Sequence, residues 1–307
     1  MNQKNSKFSP QVYNFPQFCN GMPKSIGVLF VASEVEPFIK TGCIGDIAGS
    51  IPKSVKALGH DIRVMLPGYG FLNSRRFQIH NLLRMKDIVV PVANDSEHAY
   101  IKSSYLNSEN QKVLVYFLAN DKYFNREGLY FHPETKKYFP DNDERFIFFC
   151  RGILETLKRL RWQPDIIHCN DWQCGLIPAY LKTIYKNDPF FKNVKTVFTA
   201  YSLASHASFS RNSYAKTGLP AGLLPENGSQ TDRLNFLQAG LTFADYVTTC
   251  GNKAEKNIRL APDVELEKIL QARKNTIVSM NFQNGNGQHH IAQQLVDIYH
   301  DLSKSNT

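Results

Sequence analysis

Residues 25–50 read SIGVLFVASEVEPFIKTGCIGDIAGS, and the fold turns on how that stretch divides. Ile26–Val31 is a near-continuous apolar run, the pattern of a strand buried on both faces of a parallel sheet. A short loop follows, Glu34–Lys40, then Gly42–Cys43–Ile44–Gly45, then a helical pattern starting near Asp46. Strand, loop and helix in that order open a doubly wound α/β fold, whose ligands bind beyond the carboxyl ends of the strands. Glycine lets the backbone approach a ligand, the free N–H groups of a helix start attract anions, and Lys40 adds a mobile positive charge. The loop fits neither the dinucleotide-binding GxGxxG pattern nor the P-loop. Its spacing therefore leaves two readings open, an anion site and a tight structural turn with a surface lysine.

Outward from this unit, further runs repeat the pattern: DIRVMLP, KVLVYFLA, PDIIHCN, KTVFTAY, DYVTTC and NTIVSM. Helical patterns follow most of them. In NDERFIFFCRGILETLKRL, residues 142–160, acidic side chains open the helix and basic ones close it. Phe146, Phe149, Ile153, Leu154 and Leu157 form its apolar stripe, so the expectation is an amphipathic helix lying on the sheet. Between Arg75 and Asn110 the pieces DIVVPVA and HAYIKSSYL break the rhythm and predict an antiparallel β insertion. Residues 1–24 are polar with unperiodic prolines and read as a loose arm; residues 25–282 form one large α/β domain. Residues 283–307 read as a flexible link and a docking helix with a stripe at Ile291, Leu295, Ile298 and Leu302.

The chain has 307 residues, 42% of them hydrophobic, enough for a substantial core. Its formal charge of +9 suits phosphorylated or polyanionic partners, but the basic residues are scattered, with small clusters at Arg75–Arg76, Lys136–Lys137 and Lys158–Arg161. No nucleic-acid motif accompanies them, and neither nucleic acid nor membrane is expected as a partner. Six cysteines, at 19, 43, 150, 169, 174 and 250, lie far apart without a CxxC pair, which reads as free thiols and a cytoplasmic location.

The stretch VLFVASEVEPFIKTGCIGDIAGSIPKSVKALGHDIRVMLPGYG resembles the amino-terminal segment of bacterial glycogen synthases and plant starch synthases, which carries Glu-x-x-Pro-Phe-x-Lys-Thr-Gly-Gly-Leu-x-Asp. The resemblance continues through YFNREGLY, YFPDNDERFIFFCRGILE, PDIIHCNDWQCGLIPAYLK, KTVFTAYSLA and LNFLQAGLTFADYVTTC, covering about residues 25–281 in order. It implies glycosyltransferase family 5: transfer of glucose from ADP-glucose, or sometimes UDP-glucose, to an α-1,4-glucan with retention of configuration. The fold implied is the amino-terminal half of a GT-B enzyme, a mostly parallel Rossmann-like sheet. Lys40 then occupies the place of the lysine that touches the sugar nucleotide, with Gly42 and Gly45 allowing close approach. Asp46 matches an aspartate facing sugar or acceptor hydroxyls; by itself it reads equally as a helix cap. Asp171 and Trp172 match the family's His-Asp-Trp-His on the glucan side of the cleft, with an N-cap and a core ring as the plain alternatives. No metal and no cofactor are expected.

Four departures lower the activity expected. Tyr201 and Ser202 stand where the family has His-Asn, and a phenol with an ordinary pKa near 10 is no substitute for imidazole. His168 and His206 are close in sequence but not at the matching position; His168 reads as a core residue and His206 as loop surface. Asn170 and Gln173 replace the two histidines around Asp171–Trp172. Cys43 replaces the second loop glycine, where a side chain crowds a ligand and a left-handed backbone would be strained; its thiol reads as an inert small group or a reactive one beside Lys40. The family's second domain, with most of the nucleotide pocket, has no counterpart after Met280. Three functional readings follow: a domain with weak or no transferase activity that binds sugar nucleotide or α-glucan, or regulates glycogen metabolism; a half-enzyme completed by a second protein chain; and an interaction module without a ligand.

Overall fold

The computed structural model describes residues 25–108, 111–202, 207–223, 233–250, 264–273, 277–280 and 287–304. The expected arm 1–24, His206, Cys19 and most of the Asn/Gly link lie outside the described residues. In chain order the elements are β1 (Gly27–Val31), α1 (Cys43–Ala57), β2 (Asp61–Pro67), β3 (His80–Asn81), β4 (Ile88–Val92), β5 (Asp95–Asn107), β6 (Lys112–Ala119), α2 (Asp121–Phe124) and α3 (Asn142–Leu160). Then come β7 (Ile166–Asn170), α4 (Leu176–Lys182), β8 (Lys195–Ala200), β9 (Ser208–Ser210), α5 (Asn212–Thr217), β10 (Arg233–Asn235), α6 (Phe236–Phe243), β11 (Tyr246–Cys250), α7 (Val264–Ala272), β12 (Ile277–Met280) and α8 (Gly287–Lys304).

The main sheet runs β12-β11-β8-β7-β1-β2-β6-β5-β3, with β4 also paired to β5. From β12 to β6 every pairing is parallel; β5 joins β6 antiparallel, and β3 and β4 join β5 antiparallel, so the predicted insertion is present. Chain order reverses between β1 and β7, and a sheet of this kind opens its ligand crevice at that reversal, outside the carboxyl ends of the strands. Both loops singled out in the sequence leave the sheet there.

The apolar run of β1 is explained by two-sided burial. Val28 and Phe30 face a core layer completed by Ile51 and Val55 of α1 and Leu295 and Tyr299 of α8. Leu29 and Val31 face the opposite layer, against Phe146, Ile153 and Leu154 of α3 and Leu237 of α6. Alternate side chains point to opposite faces, so on a strand with a helix layer on each side both sets are buried, and a polar residue is admitted only where the core supplies it a hydrogen-bond partner. Helix α3 departs from the amphipathic expectation. Its stripe is buried, but so are Ile147, Phe148 and Cys150, because β4, α4 and α5 also pack against it. No helix of the described residues is long and apolar enough to cross a membrane.

Helix α8 docks through Ile291, Leu295 and Tyr299, with Ile298 and Leu302 at the margin. Its attachment is also polar. The Tyr299 hydroxyl lies 2.6 Å from His168 Nδ1, and His168 Nε2 lies 2.7 Å from Thr199 Oγ1, which meets Thr248 Oγ1. One imidazole thus ties α8 to three adjacent strands, which places His168 in the core.

Burial drives the His168 pKa down from 6.5 to about 3, so the folded chain carries a neutral ring while the unfolded chain protonates it. The stability this contributes is complete above 6.5 and is lost progressively as pH falls toward the folded value. Urea midpoints should therefore drop between about pH 7 and about pH 5, and His168→Gln should flatten that drop. Tyr299→Phe, which strips a buried ring nitrogen of its partner, should cost about 1–3 kcal/mol at neutral pH.

Candidate functional site

Three anchors fold residues 34–41 back over the end of β1. Phe38 is buried in edge-to-face contact with Phe77 and Phe117, at centroid distances of 5.4 and 5.0 Å. The amides of Phe38 and Ile39 both donate to the Val35 carbonyl, closing a tight turn. Glu34, only 3% exposed, provides the third anchor. Its carboxylate accepts hydrogen bonds from the Thr41 amide and hydroxyl, and from the Tyr130 hydroxyl at 3.1 Å. A buried carboxylate is costly unless it is hydrogen-bonded, so these bonds fix the two ends of the loop together.

Tyr130 is itself held from α3. Arg145 is fully buried without a carboxylate partner; its guanidinium donates to the carbonyls of Tyr123 and Leu129 at 2.8 and 2.7 Å and to Asn142 Oδ1 at 2.6 Å. The Asn142 amide donates to the Tyr130 carbonyl at 2.9 Å. The stretch YFNREGLY is therefore shaped by the first turn of α3, and its last tyrosine delivers that order to Glu34.

Helix α1 starts at Cys43 with Gly42 as its N-cap, three residues earlier than the pattern suggested. Asp46 is therefore not a cap. Its carboxylate meets the Lys40 ammonium at 2.6 Å, both side chains being about half exposed, and that bond raises the Lys40 pKa. Gly45 is required by contact: a Cβ there would lie 2.9 Å from Lys40 Cβ and 3.0 Å from Lys40 Cα. Gly42 has extended backbone and open space where a Cβ would be. Cys43 is an exposed helical residue, so the backbone strain foreseen for a side chain at this place does not arise.

Across the reversal, β7 ends in Asn170 and the chain turns sharply at Asp171, which has φ +64° and ψ 179°. This conformation is costly for a residue with a Cβ, about 1–3 kcal/mol, and such strain clusters at functional sites. The Asp171 amide donates to the Thr199 carbonyl at 2.9 Å. Its side chain makes no cap bond to the following turn, is 5% exposed, and leaves Oδ1 without a hydrogen-bond partner. Burial raises its pKa to about 7, against the lowering effect of the Trp172 and Tyr201 amides; the nearby Cys43 and Glu34 raise it further. Trp172 is 7% exposed and surrounded by Phe146, Phe209, Tyr130 and Phe236, so its ring packs in the core.

Asn170 and Tyr201 meet one another. The Tyr201 hydroxyl donates to Asn170 Oδ1 at 2.9 Å, and the Asn170 amide donates to the Val31 carbonyl at 2.9 Å, linking the ends of β8, β7 and β1. Ser202 is exposed beside them. The carboxyl edge of the sheet thus brings together Lys40, Gly42, Gly45, Asp46, Asp171, Tyr201 and Ser202, while Trp172 and His168 point into the core. Glu34, Tyr130 and Asn170, which sequence reasoning did not assign to the site, hold it in shape. Glu34 lies inside the quoted motif; nothing in the sequence connects it to a tyrosine 96 positions later. No group of three or more His, Cys, Asp or Glu side chains among the described residues is arranged to hold a metal ion.

Residues 27–272 match the family described as the starch synthase catalytic domain. The chain is similar to a glycogen synthase of Chlorobium phaeobacteroides, 36% identical over 83% of this chain and 52% of the relative, and to that of Chlorobium luteolum, 40% identical over 72% and 45%. A glycogen synthase of Desulforudis audaxviator is 36% identical over 81% of the chain and 50% of its own length. The chain thus spans about half the length of the curated relatives it matches. In three dimensions it is similar to the catalytic domain of starch synthase IV from Arabidopsis thaliana, with a TM-score of 0.70, 22% identity, and coverage of 83% of this chain and 51% of that one.

Two substitutions test this geometry. Gly45→Ala places a methyl group against Lys40 backbone and Cβ atoms that cannot swing aside, and should cost about 1–3 kcal/mol with amide shifts concentrated in residues 36–46. Asp171 binds a proton in the folded chain up to about pH 7 that the unfolded chain releases near 3.8, so its burial lowers stability as pH rises through that window. Asp171→Asn should therefore stabilise the protein at about pH 8, by on the order of 2–4 kcal/mol, and have much less effect at about pH 4.

Proposed function

Since this chain belongs to the starch synthase catalytic domain family, we propose that it forms the amino-terminal wall of a glucosyl-transfer cleft, binding α-glucan or ADP-glucose, with little transfer by itself. Glucan binding, or regulation of glycogen metabolism through it, is then its role. The observation that carries this reading is Asp171, a buried and strained carboxyl group with one unsatisfied oxygen at the strand-order reversal. A buried polar atom without a partner is expensive, and a sugar hydroxyl would satisfy it. The Arabidopsis structure, solved with ADP and acarbose bound, supports the same ligand classes.

Weak transfer follows from the charges on this wall. Breaking the glycosidic bond of ADP-glucose builds negative charge on the departing diphosphate, which preorganised donors and cations must stabilise. Lys40 is the cation this loop offers, and Asp46 already neutralises it at 2.6 Å. The Tyr201 hydroxyl is committed to Asn170, and burial raises its pKa, so it serves poorly as an acid at neutral pH.

Titration calorimetry with maltooligosaccharides, ADP and ADP-glucose should detect binding of at least one, weakened about tenfold or more in Asp171→Ala, the loss of one or two good hydrogen bonds. Labelled glucose should pass from ADP-glucose to glycogen far below a synthase rate; a synthase-like rate abolished by Lys40→Ala overturns the reading. Silence with all three ligands favours an interaction module. A second reading, completion by a second protein chain, is favoured by the exposure of Lys40, Thr41, Gly42, Cys43, Asp46 and Ser202 along one edge. Activity regained when the purified chain is added back to lysate supports it; no regain and no co-purifying chain reject it.

A further inference from the structure

Helix α3 has 19 residues and is about 28 Å long, so its two ends serve different places. Its first turn holds the Lys40 loop; its last turn lies at the opposite, amino-terminal edge of the sheet, next to the start of β7. There residues 158–161 and residues 81–85 of the β insertion enclose an open groove of about 1070 Å³. Four of its nine lining residues, Arg84, Lys158, Arg159 and Arg161, are cationic, and none is acidic. Both walls are fixed. The Leu82 amide donates to the Ile101 carbonyl and the Ile101 amide to the Met85 carbonyl, each at 2.9 Å, while the Met85 amide closes the turn on the Leu82 carbonyl at 2.8 Å. On the other wall, the amides of Arg161 and Trp162 donate to the Lys158 and Leu157 carbonyls at 3.1 and 3.3 Å.

Basic residues at a helix end complement its dipole, which accounts for Lys158 and Arg159 by themselves. Lys158 is in addition neutralised by Asp188, at 3.0 Å. The dipole does not account for the other two cations. Arg84 belongs to the insertion, and Arg161 follows the helix in left-handed backbone, φ +52° and ψ 32°, a position that glycine usually takes at less cost. Arg84, Arg159 and Arg161 are exposed and make no ion pair among the described residues. Three uncompensated guanidinium groups on one groove raise the local concentration of anions, and each presents a fork of donors that fits phosphate oxygens two at a time. The groove is far larger than a single phosphate, and it has an apolar face as well: Leu82 and Leu160 rest against the core, and Leu83 is 78% exposed.

We propose that this groove binds an oligophosphate chain, free or as the tail of a nucleotide, through Arg84, Arg159 and Arg161. Successive phosphates meet the guanidinium forks, and Leu82, Leu83 and Leu160 offer an apolar surface on which a nucleobase rests. The length of α3 separates this site from the strand-order reversal, so it stands whether or not the glucan reading does.

Calorimetric titration of the full chain at low salt with tripolyphosphate and with ATP tests this site. Both should bind, and affinity should fall as salt rises. Arg84→Ala and Arg161→Gly should each weaken both ligands about tenfold or more, the loss of a charged hydrogen-bonded pair. Arg161→Gly also relieves the left-handed backbone, so its melting temperature should be no lower than the parent's, and binding lost there is not folding lost. Lys137→Ala, which removes a charge before the other end of α3, should leave both affinities unchanged. ATP binding tighter than tripolyphosphate makes a nucleotide the source of the chain; equal affinities mean that the chain alone is recognised. Silence with both ligands, equal weakening in Lys137→Ala, or binding lost in Lys40→Ala but kept in Arg84→Ala overturns the proposal. So does binding of polyglutamate without binding of tripolyphosphate, which assigns the groove to an acidic protein partner.

Discussion

Everything at this site depends on the reversal of strand order between β1 and β7. Parallel strands on the two sides of that line send their connections to opposite faces, so the loops leaving β1 and β7 splay apart and leave a crevice between them. The Asn170 side chain spans the line by donating to the Val31 carbonyl. Lys40 and Asp46 sit on one bank, Asp171 on the other, and Tyr201 behind. A different strand order with the same sequence motifs would scatter them.

The bank that carries Lys40 is fixed by a relay of buried polar groups reaching back to α3. Arg145 shapes the segment 123–130, Asn142 holds the backbone of Tyr130, and Tyr130 secures Glu34, which closes the loop on Thr41. Each link is a charged or polar group taken out of water and hydrogen-bonded to the next, Arg145 Nη2 alone lacking a partner, and the arrangement is specific because a missing member leaves a further costly orphan. This explains physically why the family likeness in the first loop is accompanied by likeness in YFNREGLY and DNDERF, which lie far away in sequence. They are one structural unit.

Asn170 and Tyr201 form a unit as well. They bond to each other, so the ends of β7 and β8 are held in order. Hydrogen bonding of the phenol to a neutral amide stabilises the strand ends but leaves no group that can exchange a proton near neutral pH at that position. Asp171 differs from them: its carboxyl group is buried, its backbone strained and one of its oxygens without a partner, each at a cost to stability.

Much of the fold was legible in the chain. Two-sided burial turns each parallel strand into a largely apolar run, and the charges at its two ends mark α3, because both signals are local. The burial of α3 on nearly all sides was not legible, since it depends on β4 arriving from the insertion. At the site, sequence alone determined which residue types stand at the ends of β1, β7 and β8. Tertiary structure alone decided their partners: that Asp46 pairs with Lys40 instead of capping α1, that Trp172 turns into the core, and that Tyr201 finds Asn170. Pairing is a matter of distance in space between groups remote along the chain, and no local pattern encodes it.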